Sequence, residues 1–208
     1  GGNWPNAANF PPGAFVDGLF STFVYEGTGA DNLEINNGID LSGKGGLVWA
    51  KSRDNANAHW LVDTERGLDK SLQSNSGDAE NTGSSQILSF DSDGFTLGNR
   101  NEGQNGSGLS HVAWTFRKQP KFFDIVTYTG NATARTISHN LGSAPGMIII
   151  KRLDSNDDWY IYHRGNTSDP ETEYLRFTDN ETADSANVWN DTEPTATEFT
   201  INQYSLNN

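Results

Sequence analysis

The chain of 208 residues has no cysteine and only one methionine. Without thiols, neither a disulfide framework nor a thiolate zinc site can stabilise the fold. No apolar run approaches the roughly 20 residues that a transmembrane helix needs, so we expect no membrane insertion. The sequence also lacks a Gly-rich phosphate-binding loop and a serine nucleophile elbow, which gives no support to nucleotide hydrolysis or esterase chemistry.

Basic residues are scarce as well. Fourteen Lys and Arg residues stand against 27 Asp and Glu residues, which gives a net charge of −13. A phosphate backbone or an anionic membrane surface would be repelled by this charge, so nucleic acid is not an expected partner. The four histidines are dispersed without the paired spacing that a zinc site uses.

Strong helix formers are few, whereas Gly, Asn, Thr, Ser and Asp are abundant between β-branched and aromatic residues. This mixture is typical of short strands joined by turns. With 34% hydrophobic residues the chain can build a core, so it is not a disordered acidic tail. The composition therefore predicts an all-β protein.

Several segments are written twice in the same order, which is typical of a duplicated unit. The clearest pair is "LVWAKSRD" at 47–54 and "MIIIKRLD" at 147–154. The other pairs are "FSTFVYEGTG" (20–29) with "FFDIVTYTGN" (122–131), "HWLVDTERG" (59–67) with "DWYIYHRG" (158–165), "KSLQSN" (70–75) with "EYLRFTDN" (173–180), and "DSDGFTLG" (91–98) with "PTATEFTIN" (194–202). The order predicts two tandem antiparallel β-sandwich repeats of the jelly-roll type.

The predicted organisation has three parts. Residues 1–19 carry three prolines and no hydrophobic period, so they form an irregular N-terminal arm. The first repeat covers 20–118 and the second covers 119–208. In each repeat the apolar run, "LVWAKS" or "MIIIKR", is expected to be a central strand, and "SFDSDGFTLG" (89–98) is expected to be a hairpin.

The second repeat lacks the last strand of the first. The first copy finishes with "NGSGLSHVAWTF" (105–116), whose alternation predicts a half-buried strand, but the second copy stops at "SLNN" (205–208). We favour a protein that continues beyond residue 208. The alternative is an equivalent strand from elsewhere, for instance the N-terminal arm of another subunit.

The string "FFDIVTYTGNATARTISHNLGSAPGMIIIKRLDSNDDWYIYHRG", with "VWNDTEPTATEFTIN", "SFDSDGFTLG" and "VAWTFRK", resembles a repeat of phage tail-fibre and other virion proteins. Those repeats are similar to concanavalin A-like, lectin or laminin-G type sandwiches. The resemblance covers nearly the whole chain except the arm. It implies an exposed virion component that takes part in host attachment.

The strongest catalytic candidates are Asp63 and Glu65 of "VDTERG". On a strand they would point to the same face, where two carboxylates can serve glycoside hydrolysis. The second copy has Ile161 and His163 at these positions, so no pair survives there. We therefore favour a non-enzymatic protein in which Asp63 and Glu65 belong to a solvated strand end.

A metal site is not defined by the sequence. Asp91, Asp93 and Glu102 fall at the first, third and last positions of a twelve-residue calcium loop. Phe95 and Thr96, however, stand where an oxygen ligand and the turn glycine are needed, so we favour a hairpin. A Ca²⁺ ion held by scattered loop side chains is still an open alternative, with no ligand named.

Carbohydrate recognition needs exposed aromatic faces beside polar groups. The aromatic candidates near Asn- and Asp-rich loops are Trp60, Trp159, Tyr160, Tyr162 and Trp189. Arg66 and Arg164, which each precede a glycine, recur in both copies, as do Lys51 and Lys151. The two arginines are further candidates for ligand binding, but a structural role at the strand end is favoured for them.

The sequence thus predicts a virion structural protein, extracellular on the particle, that binds a host-surface glycan and other virion subunits as a homo-oligomer. A purely architectural spacer or decoration protein is the second hypothesis. A glycan depolymerase is the third.

Overall fold

The computed structural model describes residues 16–83, 87–99, 102–177, 183–184 and 187–202, and the fold is all-β with antiparallel strands. The strands are β1 Phe20–Glu26, β2 Leu33–Asn36, β3 Gly46–Ser52, β4 Trp60–Asp63, β5 Lys70–Gln73, β6 Asn81–Thr82, β7 Ile87–Asp91, β8 Gly94–Leu97, β9 Ser110–Arg117, β10 Arg135–Ser138, β11 Met147–Lys151, β12 Trp159–His163, β13 Glu173–Tyr174, β14 Ala183–Asp184 and β15 Glu198–Ile201. The helices are single turns, α1 Leu41–Lys44 and α2 Glu102–Asn105, with 3₁₀ turns at Val16–Gly18 and Pro170–Thr172.

Three sequence predictions fall partly outside the described residues: most of the N-terminal arm (1–15), the end of "EYLRFTDN" (178–180) and the last residues (203–208). Within the described part of the chain, no helix has the length and hydropathy to cross a bilayer.

Residues 16–118, the first half, form two antiparallel sheets. The larger has the strand order β1-β9-β3-β4-β5-β6, and the smaller has the order β2-β8-β7. Alternate residues of both sheets meet in one core, with Val48 and Val62 from the larger sheet and Ile35 and Phe95 from the smaller. Because each sheet buries one face against the other, the first half has the layered arrangement of a β-sandwich.

The predicted strands and hairpin of the first half are confirmed. β3 is central between β9 and β4, and "SHVAWTF" lies in β9. β7 and β8 pair through Asp91 and Gly94, so Ser92 and Asp93 form a two-residue turn. Gly94 has φ 148°, and a Cβ there would lie 1.9 Å from the carbonyl oxygen of Ile35, so this turn requires glycine.

Residues 119–202, the second half, form smaller antiparallel pairs. β10 pairs with β15, β11 with β12, and β13 with β14, while Ile161 bridges Leu175. These pairs surround a separate core, whose buried members are Ile137, Ile150, Tyr160, Tyr162, Tyr174, Val188, Trp189, Phe199 and Ile201.

The duplication predicts that "FFDIVTYTGN" repeats the opening strand of the first half and that "MIIIKR" is a central strand. Both expectations are wrong for the described residues. Residues 124–130 of the "FFDIVTYTGN" segment form no strand, and β11 has one partner strand rather than two. The first half gives the physical reason: β9 lies between β1 and β3 and supplies the hydrogen-bonding partner of both. No strand of the described chain takes that place in the second half.

The two halves pack against each other through the face of the larger sheet that points away from its core. Leu61 and Leu72 of this face form a buried cluster with Trp159 of the second half, and Phe177 packs against the same cluster. The Trp159 indole donates to the carbonyl oxygen of Ser76 at 2.8 Å. The halves are therefore joined by a desolvated contact as well as by the chain.

Candidate functional site

The same outer face of the larger sheet carries partly buried aromatic residues beside the contact between the halves. Trp49 of β3 and Trp114 of β9 are direct cross-strand partners, and Thr22 of β1 lies opposite Trp114 on the other side. The two indole rings meet edge to face, with centroids 6.1 Å apart. Because side chains alternate along a strand, their neighbours Val48 and Ala113 point into the core, which fixes both indoles outward.

His59, just before β4, completes this group. The Trp49 indole N–H donates to Nδ1 of His59 at 3.0 Å, and the imidazole lies nearly parallel to the Trp114 ring, at 8° and 6.5 Å between centroids. Since Nδ1 accepts, the proton of the neutral ring is on Nε2. Burial, with the charge of Lys51 nearby, lowers the pKa of His59 and favours this neutral form.

Trp49, His59 and Trp114 together are called the aromatic platform below. Phe177 of the second half contacts the edge of Trp49, with centroids 6.0 Å apart. All three platform residues are partly buried, so each residue keeps some accessible surface, and ring contacts with its neighbours hold its orientation. A rigid, partly exposed aromatic surface of this kind can stack on the apolar face of a sugar ring.

Asp63 and Glu65 do not share a strand face. β4 ends at Asp63, and Glu65 lies in the turn that follows. The Asp63 carboxylate is buried and accepts from the backbone N–H groups of Glu65 and Arg66 and from Arg66 Nε at 2.5 Å. Glu65 instead accepts from Lys118 Nζ at 2.6 Å. Both carboxylates therefore have ion-pair partners at the end of β4.

Arg66 and Lys51 hold loops by contacts within the protein. Besides Asp63, Arg66 donates to Glu80 and to the carbonyl oxygen of Leu61, both at 3.1 Å. Lys51 donates to the carbonyl oxygens of Ser52 and Asn55. These contacts are typical of residues that fix the backbone at a strand end.

Lys151 and Arg164, which the repeated sequence pairs with Lys51 and Arg66, also lie at strand ends. Lys151 Nζ donates to the carbonyl oxygens of Arg152, at 2.6 Å, and Ser155, at 3.5 Å, which repeats the contacts of Lys51 one and four residues along the chain. Arg164 follows β12, and its backbone N–H donates to the carbonyl oxygen of Gly146 at 2.9 Å.

Four of the five predicted aromatic ligands are buried. Trp159, Tyr160, Tyr162 and Trp189 are each at most 7% exposed, and Trp60 is partly buried. Tyr160, Tyr162 and Trp189 belong to the core of the second half, and Trp159 belongs to the contact between the halves. Their ring faces are covered by protein, in contrast to the exposed faces that sugar stacking was expected to use.

Acidic side chains do not converge on a metal position. Among the described residues, no group of three or more His, Asp and Glu side chains is placed to hold an ion. Asp91 lies in the hairpin, where its carboxylate accepts from the hydroxyl of Thr96 at 2.8 Å.

A small cavity of about 120 Å³ lies where the halves are linked, lined by Lys118, Gln119, Pro120, Phe123, Asp124 and Asn140. Lys118 Nζ lies between Glu65, at 2.6 Å, and Asp124, at 3.5 Å. Although burial opposes it, the hydrogen bond and charge of Glu65 together with Asp124 raise the pKa of Lys118. The cavity is well below the ~300 Å³ of a typical ligand pocket, and its lysine is paired.

The platform residues were not among the sequence candidates. Trp49 and Trp114 lie in apolar strands that are 65 positions apart, and only the pairing of β3 with β9 makes them neighbours. The signal available in the sequence was the alternation of Val112, Trp114 and Phe116, which indicates one partly solvated face.

Comparison with known proteins identifies a family without a described activity. A family model described as "Domain of unknown function (DUF7483)" matches residues 17–208. No curated protein and no solved structure matches the chain.

Proposed function

The chain belongs to the DUF7483 family, and we propose that it is a non-enzymatic structural protein of a virion appendage that binds a host-surface glycan. In this proposal it consists of two tandem β-sandwich units of jelly-roll or concanavalin A-like type, exposed on the particle and repeated in a homo-oligomer. The observation that carries the glycan assignment is the aromatic platform on the outer face of the larger sheet.

The duplication is supported by strand pairs that occur in the same order along the chain in both halves. β2–β8 and β3–β4 of the first half correspond to β10–β15 and β11–β12 of the second. β5–β6 corresponds to β13–β14. Lys51 and Lys151, 100 positions apart, bind the equivalent loop carbonyls. Shared pairing and shared loop contacts are expected of one unit used twice.

The assignment to a neutral or basic glycan is supported by ring geometry and charge. The platform offers two indoles and one imidazole, with Thr22 exposed beside Trp114 to bond a sugar hydroxyl. A net charge of −13 disfavours polyanions such as sulfated or sialylated polymers. Weak single sites of this kind gain strength when an appendage presents several copies.

A glycan array and intact candidate host cells, probed with the full chain with and without a chelator, test this proposal. Trp114→Ala removes the platform ring that Phe177 does not contact, and we expect it to abolish saturable binding. Trp60→Ala is the matched control, because Trp60 is also partly buried in the same sheet but lies across from Ala50, which points to the core. This control should retain binding as long as circular dichroism shows that it is folded.

If both variants lost glycan binding equally, or if Trp114→Ala bound as well as the unmodified chain, the aromatic platform would not be the glycan site. A folded chain that bound neither glycans nor cells would favour the architectural alternative, in which the protein is a spacer or decoration. The specific support for that alternative is the second edge of β11, which has no partner strand in the described chain. The N-terminal arm is then the segment whose deletion should prevent assembly.

A further inference from the structure

His59 is the member of the aromatic platform whose charge can change near neutral pH. Its Nδ1 accepts the indole N–H of Trp49 at 3.0 Å, and its ring lies nearly parallel to that of Trp114. The backbone N–H of His59 donates to the neutral side chain of Asn75 at 2.9 Å, which holds the residue in place before β4. The hydrogen bond to Trp49 therefore requires an imidazole whose Nδ1 carries no proton.

Trp49 is the ring on which the other aromatic contacts of this face converge. The centroids of His59, Trp114 and Phe177 lie 6.0, 6.1 and 6.0 Å from that of Trp49, with interplanar angles of 71°, 73° and 64°. The hydrogen bond to His59 adds a directional contact to these edge-to-face contacts. Because an indole N–H can only donate, loss of this acceptor leaves a partly buried donor without its partner. The orientation of Trp49 is therefore coupled to the protonation state of His59.

Protonation of His59 places a donor where the acceptor was. In the imidazolium both ring nitrogens carry hydrogen, so Nδ1–H and the Trp49 indole N–H would face each other across 3.0 Å. Neither group can accept, so one of the two rings has to turn away. Both rings contact Trp114, and such a turn changes the aromatic surface on which a sugar would stack.

The surroundings of His59 in the first half oppose its protonation. Burial, and after it the positive charge of Lys51 on β3, lower the pKa of His59. Arg53 and Asp54, in the loop between β3 and β4, are both bound to Ser110, through its hydroxyl and its backbone N–H respectively. The neutral imidazole therefore prevails at pH 7, and His59 takes up its proton at a pH below its ordinary value of about 6.5.

The other elements that border the platform contribute neutral rings and a closed ion pair. Trp114 of β9 and Phe177 of the second half carry no charge. Arg176, next to Phe177 in the chain, forms an ion pair with Asp158 at 3.3 Å. Because the Asp158 carboxylate is paired with this cation, it offers little stabilisation to a charged imidazole.

We propose that His59 is a positioning residue that makes glycan binding by the aromatic platform depend on pH: neutral His59 holds Trp49 in the binding arrangement, and protonated His59 releases it. This inference rests on the proposed glycan function. If the neutral form alone binds, the apparent dissociation constant is divided by the neutral fraction, so it rises up to tenfold for each pH unit below the pKa of His59. Binding is thus retained at neutral pH and lost in acid.

The test follows the full chain between about pH 8 and about pH 5, with circular dichroism to confirm the fold at each pH. ¹⁵N spectra report the indole N–H of Trp49, and a titration with the neutral oligosaccharide that gives the strongest array signal reports the dissociation constant. We expect the Trp49 signal of the free protein and the logarithm of the dissociation constant to change at one common midpoint. A Trp49 signal that does not follow pH, or two separate midpoints, would overturn the proposal.

Two substitutions of His59 separate positioning from a general loss of stability. The amide oxygen of Asn can stand where Nδ1 stands in histidine, but it gains no proton in this pH range. His59→Asn should therefore bind the oligosaccharide at pH 7 and lose the acid sensitivity. His59→Leu, which removes the acceptor, should weaken binding at least tenfold at every pH. If His59→Leu bound as well as the unmodified chain, the proposal would be wrong.

A change of the neighbouring charge tests the same idea without altering the platform. Lys51→Gln removes the positive charge and keeps a donor for the loop carbonyls, so it should move the midpoint to higher pH. Lys151→Gln is the matched control, because Lys151 makes the equivalent contacts with the carbonyl oxygens of Arg152 and Ser155 in the second half. This control should leave the midpoint unchanged. Equal midpoints in the two lysine variants, or acid sensitivity that persists in His59→Asn, would contradict the proposal.

Failure of the glycan function can be recognised separately from failure of this inference. Absence of array binding at neutral pH overturns the glycan function and, with it, the proposed control of binding. Saturable glycan binding that persists unchanged in acid overturns this inference alone, and the glycan function then stands.

Discussion

Replacement of Arg66 should show that the Asp63 carboxylate at the end of β4 has a structural role. The side chains of Asp63 and Arg66 are 5% and 7% exposed, and Arg66 also binds Glu80, whose side chain is 12% exposed. In Arg66→Met both carboxylates lose this cation while they stay inside the protein. Breaking a buried ion pair from one side costs about 3–5 kcal/mol.

The two backbone N–H groups that bind Asp63 are unchanged in this variant, so we expect the lower end, about 3 kcal/mol. Urea unfolding at pH 7 measures the effect. With a slope of about 2 kcal/mol per molar urea, the midpoint should fall by roughly 1.5 M. Asp63→Asn combined with Arg66→Met should then cost less than the sum of the single changes, because the two side chains share one interaction.

Arg152→Met is the matched control for this measurement. Arg152 forms an ion pair with Asp154 at 2.6 Å, nearly the same distance as the Arg66 pair, but the Asp154 side chain is 72% exposed. The control should therefore change the unfolding midpoint little. Equal and small effects of Arg66→Met and Arg152→Met would refute the reasoning that burial makes the Asp63 pair structural.

Three further predictions concern other parts of the chain. Trp159→Ala should lower the free energy of unfolding by about 3–5 kcal/mol, and differential scanning calorimetry should show the two halves melting separately; a single unshifted transition would contradict the contact between them. Gly94→Ala should destabilise by about 2 kcal/mol or more in chemical unfolding, whereas Gly18→Ala, where a Cβ meets open space, should be neutral. Because the pKa of His59 is lowered on folding, its contribution to stability is present above pH ~6.5 and is lost as pH falls through the folded pKa; His59→Gln should reduce this acid sensitivity in a series of unfolding curves, and an unchanged pH profile would contradict it.

The strands of the first half could be predicted because their hydrophobic alternation is complete within each segment. "SHVAWTF" and the hairpin at Gly94 carry their pattern and turn chemistry locally. The absence of a strand at residues 124–130 of "FFDIVTYTGN" could not be predicted in this way. The sequence of this segment resembles β1, but a strand also needs a neighbouring strand to accept its hydrogen bonds, and no strand of the described residues pairs with this segment.

The candidate site was harder to predict for the same physical reason. If one face of β12 were free, every second residue of "DWYIYHRG", including Trp159, would be accessible to solvent. Trp159 is instead buried against Leu61 and Leu72, about 90 residues earlier in the chain. The residues that do keep accessible ring surface, Trp49 and Trp114, are brought together by the pairing of β3 with β9. Local pattern identifies faces of strands, but not which face a distant segment covers.

The glycan assignment can be tested most directly by nuclear magnetic resonance of the six indole N–H groups, assigned with single Trp→Phe variants. A sugar that binds the chain in the array should be titrated into ¹⁵N-labelled protein. The account predicts that the Trp49 and Trp114 signals shift with one common dissociation constant, while those of the buried Trp159 and Trp189 stay in place. Saturable binding that shifts other indoles, or none, would contradict the placement of the glycan site on the aromatic platform.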